Sequence, residues 1–126
     1  MRLREAHERV LVILVALHSA IIGVIFIFAP TWTIQFGGWE RIEPVFFGRQ
    51  AGAFHLVLAT GYLIEYFRYR GITLLVAAKS FALVFLLACA VFDGLPWAVP
   101  VSGLGDGAMA LLVWWVHRKV QTTGSS

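Results

Sequence analysis

Four long apolar segments, each interrupted near its middle by a polar or ionisable residue, constrain this chain more than any other feature. The segments are Val10–Ala29, Val45–Phe67, Ile72–Phe92 and Ala98–Val116, and the interrupting residues are His18, His55, Lys79 and Asp106. About 20 apolar residues in a helix cross the hydrocarbon core of a bilayer. A charge at that depth costs about 3 kcal/mol or more unless it is paired or hydrated. The pattern predicts an all-α, polytopic membrane protein. Its expected architecture is an antiparallel bundle of four transmembrane helices, about 10–29, 45–67, 72–92 and 98–116, in one domain over residues 1–120.

Composition excludes the main alternative. Hydrophobic residues make up 60% of the chain and charged residues 13%, whereas a soluble domain carries about 25% charge. The net charge of +3 does not point to nucleic acid, because the basic residues flank the apolar spans and form no face of their own. The single cysteine, Cys89, lies inside the third span, so no intrachain disulfide forms. The first span follows a basic start but is longer than a signal-peptide core and has no A-x-A site after it. It reads as a retained helix, stopped at Phe28-Ala29-Pro30 by the proline. Residues 121–126, Gln121 to Ser126, are small and polar and read as a disordered tail or a vector-derived scar.

The loop charges set an orientation. Arg2, Arg4, Arg9, Arg68, Arg70, Arg118 and Lys119 fall on one side of a four-crossing chain, and only Arg41 lies in a loop on the other. The positive-inside rule then places both termini in the cytosol. Trp32, Trp39 and Trp97 fall at the outer interface, and Tyr66, Tyr69, Trp114 and Trp115 at the inner one, where amphipathic rings are favoured. The long first loop, Thr31–Pro44, carries Trp32, Ile34, Phe36 and Trp39 and suits a short segment on the outer membrane surface, broken at Gly37-Gly38.

Depth brings the four interrupting residues together. At about 1.5 Å rise per residue, His18 lies roughly 12 Å from the cytosolic end, His55 roughly 18 Å, Lys79 roughly 10 Å and Asp106 roughly 15 Å. Lys79 and Asp106, of opposite charge on consecutive antiparallel helices, are the natural pair, either fixing helix register or serving a ligand or proton site. His55 shares a face with Gly48, Gly52, Ala59 and Tyr62. Gly48 and Gly52 form a small-xxx-small packing pattern, and Gly103 and Gly107 on the fourth helix have the same use. Arg49 is expected to pair with Asp93 at the outer end or to snorkel outward. Glu65 and Arg68 read as a surface helix pair. No catalytic motif is present, and the chain lacks four converging metal ligands.

Several segments carry a family resemblance: the Phe28-Ala29-Pro30 end of the first helix, the Arg49-Gln50-Ala51-Gly52-Ala53 opening of the second, and Gly61-Tyr62-Leu63. A lysine within the third helix and Gly105-Asp106 within the fourth complete it. Together they are similar to the DoxX-like group of small four-helix bacterial membrane proteins. The resemblance implies a four-helix bundle in a bacterial inner membrane. It also implies kinship with proteins some of which are subunits associated with quinone-linked oxidoreductases. It implies no catalytic residue.

Three function classes follow. The first is a binding or accessory membrane protein that holds a hydrophobic small molecule, such as a quinone or lipid, against a midplane polar site of His18, His55, Lys79, Asp106 and Tyr62. The second is a small oligomeric proton-coupled transporter or channel using Asp106, Lys79 and His55. The third is a b-type haem redox protein with His18 and His55 as axial ligands. The first is the favoured expectation, with a homo-oligomer or a larger membrane complex as its setting.

Overall fold

The computed structural model describes residues 2–124. They form five helices: α1 (Arg2–Phe28), α2 (Pro30–Phe36), α3 (Val45–Tyr69), α4 (Thr73–Asp93) and α5 (Ala98–Gly124). No strand occurs among the described residues. Three helices, α1, α4 and α5, are long and apolar enough to cross a membrane. α3 is as long, at 25 residues, but Arg49, Gln50, His55, Thr60 and Glu65 are spread along it, so no stretch of it is comparably apolar.

The helix ends follow local chemistry. Pro30 ends α1, as the sequence predicts, and starts α2 in the first turn, where a missing N–H costs nothing. The surface segment expected in the first loop is therefore helical, and it stops at Gly37, with Gly38 at φ +101° turning the chain away. α4 ends on Gly94 in the left-handed region at φ +60°. Arg70 ends α3 in the same region, donating its N–H to the Tyr66 carbonyl while the next N–H, of Gly71, donates to the Glu65 carbonyl.

Glu65 does not serve as a partner for Arg68. Its carboxylate accepts hydrogen bonds from the backbone N–H of Thr73 (3.1 Å) and Leu74 (2.7 Å), capping the start of α4. Free amides and the positive end of the helix dipole make that position more favourable for a carboxylate than an exposed pairing with arginine.

α1 and α5 both extend beyond the predicted spans. α1 begins at Arg2 rather than near Val10, and α5 continues to Gly124. The disordered tail is thereby corrected for residues 121–124, while residues 125 and 126 lie outside the described residues. Two local features hold the last turn. The hydroxyls of Thr122 and Thr123 donate back to the Lys119 carbonyl, and Arg4 donates to Thr123 Oγ1 at 2.8 Å.

The four long helices form two close antiparallel pairs, α1 with α3 and α4 with α5. Small residues allow the approach. A Cβ on Gly52 would lie 2.5 Å from the Gly23 carbonyl oxygen, so the α1 and α3 backbones touch there. Gly103 and Gly107 take the side chains of Leu86 and Leu83 across the α4–α5 seam. The pairs meet through α1 against α5 and α3 against α4. Between them lies a core of Val12, Val15, Ala16, Tyr62, Tyr66, Ile72, Leu75 and Val113. The outward surface is apolar, with Phe81, Val91 and Phe92 more than three-quarters exposed. In water such a surface would be a large aggregation patch.

Candidate functional site

Lys79 stands in the second turn of α4 and Asp106 in the third turn of α5. Lys79 Nζ donates to Asp106 Oδ1 at 2.8 Å, with side chains 4% and 13% exposed. In the antiparallel seam Leu83 meets Gly107 and Leu86 meets Gly103, so Asp106 lies opposite the turn that follows Lys79, and the long lysine stem spans the difference. The two charges neutralise each other in a region with little water, which is the condition under which a buried ion can persist.

The other predicted residues surround this pair to different degrees. Tyr62, buried on α3, lies within electrostatic reach of Asp106. His55 is half-buried on α3 and lies within reach of Lys79, Asp106 and His18. His18 lies within reach of both members of the pair, but at the edge of the packed face of α1, where it is exposed. Neither histidine makes a hydrogen bond among the described residues. Ser19, next to His18, is 1% exposed and its hydroxyl has no partner there either. All four long helices therefore contribute to one polar layer.

The pairing expected between Arg49 and Asp93 does not form. Both side chains are exposed, and neither has an ion-pair partner among the described residues. The specific contacts between α3 and α4 are at the opposite end, where Gly61 meets Leu74 and Glu65 caps α4. An exposed pair is worth too little to draw the far ends together.

Haem does not fit the two histidines. Axial ligation needs a macrocycle between the two rings, and α1 and α3 touch through Gly23 and Gly52, within about one and a half turns of both histidines. Helices in backbone contact leave no slot for a flat ring system. No cluster of three metal-ligating side chains occurs among the described residues.

Two features were not expected from sequence. One is a second buried pair, Glu8 with His117, at 3.0 Å between Oε1 and Nδ1 and linking α1 to α5. Glu8 is 4% exposed, and its other oxygen has no partner among the described residues. Its signal was the pair of helix extensions past the apolar spans, which a hydropathy boundary cuts off. The other is a groove of about 270 Å³ on the outward side of the α4–α5 seam. Its walls are Val76, Ser80 and Leu83 on α4 and Leu111 and Trp114 on α5, and its floor is Gly107 and Ala110. The groove occupies the same turns as the Lys79–Asp106 pair, on the other side of the seam. A shallower cleft of about 410 Å³ lies along α3 alone, lined by Leu56, Val57, Thr60, Gly61 and Ile64.

The fold defines an all-helical chain with three helices long and apolar enough to cross a membrane. No protein-family model, curated protein or solved structure matches the chain.

Proposed function

We propose that this is a four-crossing integral membrane protein of a bacterial inner membrane, with both termini cytosolic, that binds a hydrophobic small molecule of the quinone or lipid class. The reading keeps the DoxX-like resemblance as its family expectation and treats the protein as a binding or accessory component. The observation that carries it is the α4–α5 groove. It faces outward, it is apolar except for Ser80, and its volume is near the lower bound of small-molecule clefts, about 300 Å³.

The polar layer supports the same reading from behind. Lys79 and Asp106 lock α4 and α5 in register, so the groove exists before any ligand arrives and binding needs little reorganisation. His55, Tyr62 and Ser19 add hydrogen-bonding capacity at the same depth. Transport is favoured less by the geometry, because the Lys79–Asp106 charges are satisfied by each other and are buried.

The test is to purify the protein in mild detergent and identify co-purified hydrophobic molecules by mass spectrometry. The wild-type protein should retain one such molecule, and Ser80→Phe, which fills the groove from an exposed wall position, should lose it. Equal retention by both proteins would exclude the groove as the site.

A further inference from the structure

The groove has a direction and two unlike ends. It runs from Leu83 and Gly107 at mid-depth to Val76 and Trp114, seven residues along each helix, or about 10 Å. Trp114 closes the end nearer the chain termini. One turn further, the Arg118 guanidinium carbon sits 5.2 Å from the centroid of the Trp114 ring. Lys119 lies beside it, with Nζ 3.7 Å from the centroid of the Trp115 ring. Arg118 is exposed and has no carboxylate partner among the described residues. An apolar channel thus ends at an aromatic ring that holds an unneutralised cation.

That sequence of surfaces matches one class of molecule. We infer that the groove holds an acyl chain of an anionic phospholipid from the inner leaflet, with the lipid phosphate at Arg118. This rests on the reading of the groove as a binding site for a hydrophobic molecule and names its occupant. Charge complementarity decides between the candidates of that class. A quinone has an uncharged head group and gains nothing from Arg118, whereas a phosphate makes a charge-assisted, bidentate contact with a guanidinium. The stack on Trp114 limits the arginine's side-chain freedom before the lipid arrives, and the indole sits at the interfacial depth where it is favoured. In the inner leaflet, each basic group near the surface is worth about fivefold in affinity for anionic lipid. A neutral or zwitterionic lipid fills the same groove without that gain.

Native mass spectrometry of the full chain with synthetic phosphatidylglycerol and phosphatidylcholine of identical chains tests this. Wild-type protein should retain one phosphatidylglycerol with at least about fivefold preference over phosphatidylcholine. Arg118→Gln should retain one lipid but bind the two species about equally. Ser80→Phe, and independently Gly107→Leu, should retain neither; the first touches only an exposed wall, so it answers the question if the second fails to fold. Retention of a lipid by wild type with no preference for charge, preference persisting in Arg118→Gln, or an uncharged co-purified molecule in place of lipid would overturn the inference and leave the groove standing as a site. Full lipid retention by Ser80→Phe would overturn the groove itself.

Discussion

Lys79 and Asp106 depend on each other in a way their neighbours do not. With side chains only 4% and 13% exposed, removal of either leaves the other charged and buried. Lys79→Met and Asp106→Leu should each lose about 3–5 kcal/mol of stability, and the double variant should recover much of that. Reversible unfolding in micelles, run as a double-mutant cycle, measures it; additive losses would mean the two residues are not coupled. This pair was legible from sequence, because depth along two antiparallel helices is a matter of counting. Glu8 and His117 were not legible by the same count. They lie outside the apolar runs, where a count of depth does not reach, although tertiary contact buries Glu8 to 4% exposure. The position of His18 was also illegible. Its depth was fixed by rise per residue, but its exposure depends on which face of α1 meets α3, and that is set by Gly23.

At the level of the helices, glycine has opposite meanings at three positions. On Gly52 a methyl would strike the Gly23 carbonyl oxygen and the Phe26 Cβ, at 2.5 and 2.9 Å, and neither can move without separating α1 from α3. On Gly48 it would meet the Ile42 and Pro30 side chains at 3.2 Å, a smaller adjustment. On Gly105 it would meet nothing within 4 Å. Gly52→Ala should therefore destabilise by about 1–3 kcal/mol, as overpacking does. Gly48→Ala should cost less. Gly105→Ala should stabilise α5 by about 0.5–1 kcal/mol through helix propensity. Thermal melts of the three variants give the order directly, and equal melting points would refute the contact geometry. The small-xxx-small pattern marked α3 as a packing surface. It did not by itself identify the partner, because small residues recur on the other helices too: Ser19 and Gly23 on α1, both buried, have the same spacing, as do Gly103 and Gly107 on α5. The helical ends of α1 and α5 were missed for a related reason: charged and polar turns become helical when they have a facing helix, and sequence periodicity does not reveal the partner.

At the scale of the whole molecule, the polar ties between the two helix pairs gather at one end. Glu8 bonds to His117, Arg4 to Thr123, and Glu65 caps α4. At the other end the closing contacts are apolar and small: the Phe36 ring meets Trp97 edge-on at 5.8 Å, and Gly37 lies against Ala98. The end with the polar ties also carries Arg2, Arg4, Arg9, Arg68, Arg70, Arg118 and Lys119. A basic end held by hydrogen bonds suits the cytosolic face, and an aromatic end with a short helix lying beside it suits the outer boundary. The expected topology thus makes α3 a crossing helix in spite of its polar residues, since its Gly48, Gly52, Ala59, Tyr62 and Tyr66 are buried against the others. Single cysteines at Gln121 and Glu40, both exposed, in a Cys89→Ala background separate the alternatives. Glu40 is preferable to Gly38, where φ of +101° and a Cβ only 2.8 Å from Pro96 would strain any replacement. A membrane-impermeant thiol reagent applied to intact spheroplasts should label Glu40→Cys and spare Gln121→Cys until the membrane is opened. Labelling of both from outside would place α3 beside the membrane rather than through it, because three crossings between the two positions put them on opposite sides, whereas α4 and α5 crossing alone put them on the same side. Labelling of Gln121→Cys alone would reverse the orientation, and with it the assignment of Arg118 to the inner leaflet.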